Sequence, residues 1–225
     1  MRTSGSSLAP RMARLALLAV AGLVLTACAS MSRKEKGAVI GGAAGAAVGG
    51  VIGNNTGSTA RGAIIGAVVG GTAGAVIGHQ MDQQARELKV VIPGAVIERV
   101  GEGIQVTFAS GLLYDFDSDD IRPEAALNLA NLATSLEKYP NTDLLIVGNT
   151  DALGTSEYNQ DLSLRRANSA SRYLTMKGVV LTRLHTSGKG ELEPLASNET
   201  EAGRQRNRRI EVAIYATKAA GTALR

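Results

Sequence analysis

Residues 143–151 read "DLLIVGNTD". Leu144, Leu145, Ile146 and Val147 form an unbroken apolar run, where a strand wetted on one side would alternate apolar with polar residues. The run predicts a strand covered on both faces, and elements able to cover it lie on either side. Pro123 stands where a first helical turn accepts proline, and Ala125, Leu129, Leu132 and Leu136 follow at helical spacing. Tyr139 and Pro140 end that helix. A second helix is expected over roughly residues 157–176, then a strand near "LHTSGKG", residues 184–190. In "RRIEVAIY", residues 208–215, Ile210, Val212 and Ile214 alternate with Glu211 and Ala213, the period of a strand. Upstream, "AVIERVGEGIQVTF", residues 95–108, reads as a strand, a Gly-Glu-Gly turn and a second strand with Ile104, Val106 and Phe108 on one face. "LLYDF", residues 112–116, reads as a further extended piece, and "QMDQQARELK", residues 80–89, as a short helix or linker. The expected fold class is α/β, a βαβαβ sandwich of strands interleaved with two helices.

One arginine in the second helix is out of place for a solvated face. On a helical wheel Arg166 falls on the apolar stripe with Leu162, Ala170, Tyr173 and Leu174, whereas Arg165 turns toward the wet side. A guanidinium among core residues needs an anionic partner, because an unpaired buried charge is very unfavourable. Asp151, just past the end of the apolar strand, lies where α/β sheets commonly place ligand sites. The pair reads either as an internal salt bridge or as two halves of a binding site.

Further toward the N-terminus the composition changes. "GAVIGGAAGAAVGGVIG", residues 37–53, and "GAIIGAVVGGTAGAVIG", residues 62–78, each repeat glycine at steps of four and carry no charge. With seven and six glycines, each tract as a helix gives up roughly 5–7 kcal/mol relative to alanine. Close backbone approach or a membrane offsets such a cost, as in small-xxx-small helix packing. The tracts, joined by "NNTGSTAR", are therefore expected to form a helical hairpin packed backbone to backbone in or on a bilayer.

At the N-terminus, Arg2, Arg11 and Arg14 precede the apolar run "LALLAVAGLVL", the layout of a secretory signal. It ends in "LTAC", and Cys28 is the only cysteine of the chain, so no internal disulfide forms. The tetrapeptide resembles the bacterial lipobox, which implies lipidation of Cys28 as the new N-terminus and anchoring by three acyl chains. Ala29 follows, and the lack of Asp there implies transfer to the outer membrane. The net charge of +4 sits largely in the leader: with its three arginines removed, 24 basic residues become 21 against 20 acidic ones. No basic domain remains for nucleic acid.

The C-terminal half resembles a family. "GNTDALGTSEYNQDLSLRRANSASRYL", residues 148–174, and "GKGELEPLASNETEAGRQRNRRIEV", residues 188–212, look like the peptidoglycan-binding C-terminal domain of the OmpA family. The motifs TD-x-x-G, N-x-x-LS-x-x-RA and NRR occur at family spacing, and the match covers about residues 104–216. The resemblance implies an OmpA-like domain that binds the diaminopimelate of the cell-wall stem peptide, with Asp151 on its ammonium and Arg166 on its carboxylate. It places Asn159, Leu153, Leu162, Asp115 and Phe116 along the pocket and adds Arg208 and Arg209 from NRR. Asn149 departs from the pattern, where the family usually has His or Tyr.

The expected organisation is a signal peptide at 1–27, a lipidated linker at 28–36 and a glycine-zipper hairpin at 37–78. A linker and leading strand at 79–103 then lead to the peptidoglycan-binding domain at 104–217. The implied partners are peptidoglycan and outer-membrane lipid, with the domain in the periplasm, and no nucleic acid. The function expected is a tether between outer membrane and wall. The alternative is a zipper-built homo-oligomer or channel that wall binding positions. No cofactor and no metal are expected. A calcium loop starting at Asp115 would need glycine at 120 and glutamate at 126, where Asp120 and Ala126 stand. No enzyme is expected either, since His79 and His185 lie in unrelated segments and no nucleophile elbow or phosphate loop occurs.

Overall fold

The computed structural model describes residues 57–67, 74–115 and 117–216. The signal peptide, Cys28, the linker and the first glycine tract lie outside the described residues, as does Phe116. The hairpin expected between the two tracts therefore falls mostly outside them.

Eleven elements carry the argument: α1 (Thr59–Ala67), α2 (Gly74–Val91), β1 (Val96–Val100), β2 (Gly103–Ala109), α3 (Ser110–Leu113), α4 (Pro123–Lys138), β3 (Thr142–Asn149), α5 (Ser156–Met176), β4 (Leu184–Gly188), α6 (Glu201–Asn207) and β5 (Arg209–Ala216). The strands form one sheet in the order β1-β2-β5-β3-β4. β1 and β2 are an antiparallel hairpin, and β5 runs antiparallel to both of its neighbours, β2 and β3. β3 and β4 are parallel, joined by α5 as the crossover that a parallel pair requires. The expected α/β sandwich is present.

The apolar run of β3 is covered on both faces, as read. Leu144 and Ile146 enter the main core with Ile104, Val106, Phe108, Ile210, Val212 and Ile214, under helices α2, α4 and α5. Leu145 and Val147 point the other way and pack with Ala213 and Tyr215. The cover on this second face is α1, whose Ala60, Ala63 and Ile64 join that cluster. The sequence reading had assigned those residues to a membrane hairpin.

Three local readings change. "QMDQQARELK" belongs to α2, which runs across the boundary drawn at 78/79. Met81, Ala85 and Leu88, with Ile92 just past its end, form its apolar stripe, thinned by the charges between them. Ser110–Leu113 is a helical turn rather than part of an extended piece, and only Tyr114 bridges to Ile121 as a strand would. α6 was not foreseen. Among the described residues no helix is long and apolar enough to cross a membrane.

Candidate functional site

β3 delivers Thr150 and Asp151 to one end of the sheet, where the Thr150 amide donates to the Gly190 carbonyl at 2.8 Å. Asp151 is only 6% exposed. Its Oδ1 accepts from the Leu153 amide at 3.0 Å, a side-chain turn that shapes the loop into α5. Gly154 lies at φ +98°, a conformation that explains the glycine of the TD-x-x-G motif. Thr155 then caps α5 by accepting from the Tyr158 amide at 3.2 Å.

The carboxylate's partner is Arg208, whose Nη1 donates to Asp151 Oδ2 at 2.5 Å. The other arm of Arg208 donates to Glu201 on α6 at 2.6 Å. The hydrogen bond to Glu201, ahead of that to Asp151, raises the guanidinium's pKa. Arg208 in turn is the leading cause of a lowered Glu201 pKa. Asn207 ties the surrounding loop together. Its Oδ1 accepts from the Leu195 and Ala196 amides at 2.8 and 2.9 Å, and its Nδ2 donates to the Ala196 carbonyl and to Asn198 Oδ1. Asn198 Oδ1 also accepts from the Ala152 amide at 3.2 Å, so the motif's asparagine organises the loop beside Asp151. The sequence reading used only the two arginines of that motif. A polar residue next to them was the available signal.

Arg166 is where the wheel placed it, on the buried side of α5 and 5% exposed. Its Nε donates to the Ser118 carbonyl at 2.8 Å and its Nη2 to the Asp115 carbonyl at 3.3 Å. The guanidinium lies 5.4 Å from the centre of the Tyr114 ring, and the Tyr114 hydroxyl donates to the Arg166 carbonyl at 2.6 Å. Burial lowers the arginine's pKa, opposed by Tyr114, Asp117 and Asp119. No carboxylate lies within ion-pair distance of it among the described residues. The direct Asp151–Arg166 bridge is not the arrangement seen, because Asp151 takes Arg208 instead.

The loop that receives Arg166 is fastened to α5. Tyr158 donates to Asp117, which sits at φ +58°, and Arg165 reaches Asp119 at 3.4 Å. Asp115 keeps an exposed side chain 3.6 Å from Arg122. Asn159 is buried and donates to Glu191 at 2.7 Å, and Leu162 is buried near it on the same helix. Leu153 is 60% exposed at the rim. Arg209 is elsewhere. It is 1% exposed, on the second sheet face, and donates to Glu211 at 2.7 Å and to the Glu193 carbonyl at 2.9 Å. Asn149, its register partner, is buried with neither side-chain polar atom hydrogen-bonded. The structure thus groups Asp151, Arg208 and Glu201, sets Asn159 and Arg166 along α5, and separates Arg209 from all of them. A buried cation midway along α5, with no carboxylate on it among the described residues, and a buried anion in the loop leading into that helix suit a ligand carrying both charges.

The OmpA family model matches residues 113–208, and the YMGG-like Gly-zipper model matches residues 10–82. The peptidoglycan-associated lipoprotein of Pseudomonas putida is 35% identical over 119 residues, 53% of this chain and 71% of that protein. The chain belongs to the OmpA family. Within it, the outer membrane protein A of Bordetella avium is 41% identical, over 51% of this chain and 59% of that protein. The probable lipoprotein YiaD of Escherichia coli K12 is 33% identical over 60% and 63%. The chain thus spans about 60% of the length of these two relatives. Among solved structures, the cell wall anchor of the T6SS from Pseudomonas aeruginosa aligns with a TM-score of 0.53 at 27% identity, over 60% of this chain and 96% of that one.

Proposed function

We propose that this OmpA-family domain binds peptidoglycan non-covalently through the diaminopimelate of its stem peptide, and that acyl chains on Cys28 hold the chain to the outer membrane. The observation that carries the reading is the buried Arg166 guanidinium, met among the described residues by two carbonyls and a ring face but by no carboxylate. The amino-acid end of diaminopimelate is a zwitterion. Its carboxylate completes Arg166, and its ammonium shares the Asp151 carboxylate that Arg208 already orients. Asn159, Leu162, Leu153 and Asp115 shape the surroundings. The protein acts by holding on, as a tether between membrane and wall, rather than by turnover. The Pseudomonas putida relative is named for association with peptidoglycan, and the Pseudomonas aeruginosa neighbour is titled a cell wall anchor.

Pull-down of the full chain with purified sacculi tests the ligand. Walls built on diaminopimelate retain at least about tenfold more protein than walls built on lysine, the equivalent of 1.4 kcal/mol. Equal retention by both wall types rejects the diaminopimelate assignment. The anchor has its own test. Intact-mass analysis of the membrane form shows a chain starting at Cys28 with added acyl mass, and Cys28→Ser yields neither. A mature chain starting elsewhere refutes the lipobox reading.

A further inference from the structure

α1 is two-faced. Ala60, Ala63 and Ile64 are buried against Leu145, Val147, Ala213 and Tyr215, with Val100 alongside, while Ile65 is 36% exposed and Arg61 lies at the surface. The sheet is shaped to receive it. A Cβ at Gly103 would stand 2.5 Å from Ile64 Cγ2 and 2.6 Å from the Ile214 carbonyl oxygen, so the glycine serves both the pairing with β5 and the seat of the isoleucine.

Polar contacts secure both the start and the flank of α1. Ser58 Oγ donates to Glu211 at 2.5 Å, the carboxylate that also accepts from Arg209. The Thr59 amide donates to Glu193 at 2.9 Å and its hydroxyl donates to the other oxygen of the same carboxylate. Arg61 donates to Gln105 at 2.7 Å and to Glu98 at 2.6 Å. α1 contains Gly62, the first of the second tract's five glycines at steps of four, and Gly62 is buried. The tract's last residues belong to α2, whose Met81, Ala85 and Leu88, beyond the tract, enter the main core.

We propose that the start of the second glycine tract is held by the domain and not by the bilayer: residues 58–67 are a strap that closes the second face of the sheet. Membrane insertion of these residues excludes that closure, because Ala60, Ala63 and Ile64 cannot face lipid and the sheet at once. Releasing the strap would put Leu145, Val147, Ala213 and Tyr215 in water, a loss of apolar burial that favours the closed state.

Thiol labelling of the full chain tests this apart from any wall-binding assignment. Ile64→Cys and Ile65→Cys are made singly, and the chain is placed in vesicles of phosphatidylethanolamine and phosphatidylglycerol or kept in detergent. A membrane-impermeant maleimide is the probe, and the parent chain is the blank for Cys28. Ile64→Cys labels at least about tenfold more slowly than Ile65→Cys in both media, since its reaction waits for local opening. Adding Ala60→Glu, which places a charge on the docked face, removes the difference. Ala63→Cys repeats the measurement in case shortening Ile64 itself loosens the strap. Slow labelling at 64 and 65 alike in vesicles, with fast labelling of both in detergent, means insertion and overturns the proposal. Fast labelling at 63, 64 and 65 in both media overturns it as well.

Discussion

Arg166→Ala in the full chain weakens binding to sacculi by roughly 30-fold or more, because losing one partner of a buried charged contact typically costs about 2–5 kcal/mol. Asp151→Ala has an effect of the same order. The two variants fail for different reasons. Arg166→Ala removes the buried guanidinium proposed to meet the ligand carboxylate, and also the donors to the Ser118 and Asp115 carbonyls. Asp151→Ala removes the ammonium's partner and frees Arg208, which keeps Glu201. Thermal melts run beside the binding assay separate loss of the site from loss of the fold. Arg165→Ala is the control: it pairs with Asp161 and Asp119 at the helix surface, where substitutions usually stay within about 0.5 kcal/mol. Folded Arg166→Ala protein that binds sacculi as the parent does defeats the assignment.

Arg209→Ala acts on stability rather than binding. The Arg209–Glu211 pair has side chains 2% and 1% exposed, so removing the arginine strands a carboxylate inside the second face of the sheet. Breaking a buried pair in this way costs about 3–5 kcal/mol, which lowers the melting temperature by roughly 10 °C for a domain of this size. The Asn207 and Glu193 carbonyls lose their donors at the same time. Arg209→Met with Glu211→Leu recovers most of the loss, since well-packed apolar replacements of buried pairs are often neutral. Arg208→Ala lowers the melting temperature less, because its side chain is 31% exposed and Asp151 keeps the Leu153 amide, and adds a clear loss of wall binding. A melt of Arg209→Ala within about 1 kcal/mol of the parent contradicts the structural role assigned to it.

These two neighbours show where the sequence was readable and where it was not. The NRR motif reads as one unit, but successive residues entering a strand point to opposite faces. Arg208 therefore meets Asp151 while Arg209 turns under α1 to Glu211. Patterns with a single physical meaning were legible: the apolar run of β3, the proline that opens α4, the alternation in β5, and Arg166 on an apolar stripe. The glycine tracts have two meanings. Small residues permit close approach to a neighbouring helix or to a sheet, and only the hollow at Gly103 distinguishes the second. The stripe of α2 was hidden for a related reason, because Asp, Gln, Arg and Glu fill the positions between Met81, Ala85 and Leu88. At the site, the partner of Asp151 lay 57 residues away along the chain, a distance over which local pattern carries no information.

The attachment of α1 also decides how the domain bears load. A pull along the N-terminal segment arrives at Ser58 and Thr59, and from there passes through Glu211 into β5 and through Glu193 into the loop after β4. β5 lies at the centre of the sheet, hydrogen-bonded along both edges by β2 and β3. Without the strap, the same tension would run through α2 to β1, an edge strand held by a single neighbour and open to peeling one bond at a time. With it, force enters at the strand whose removal must shear two ladders together.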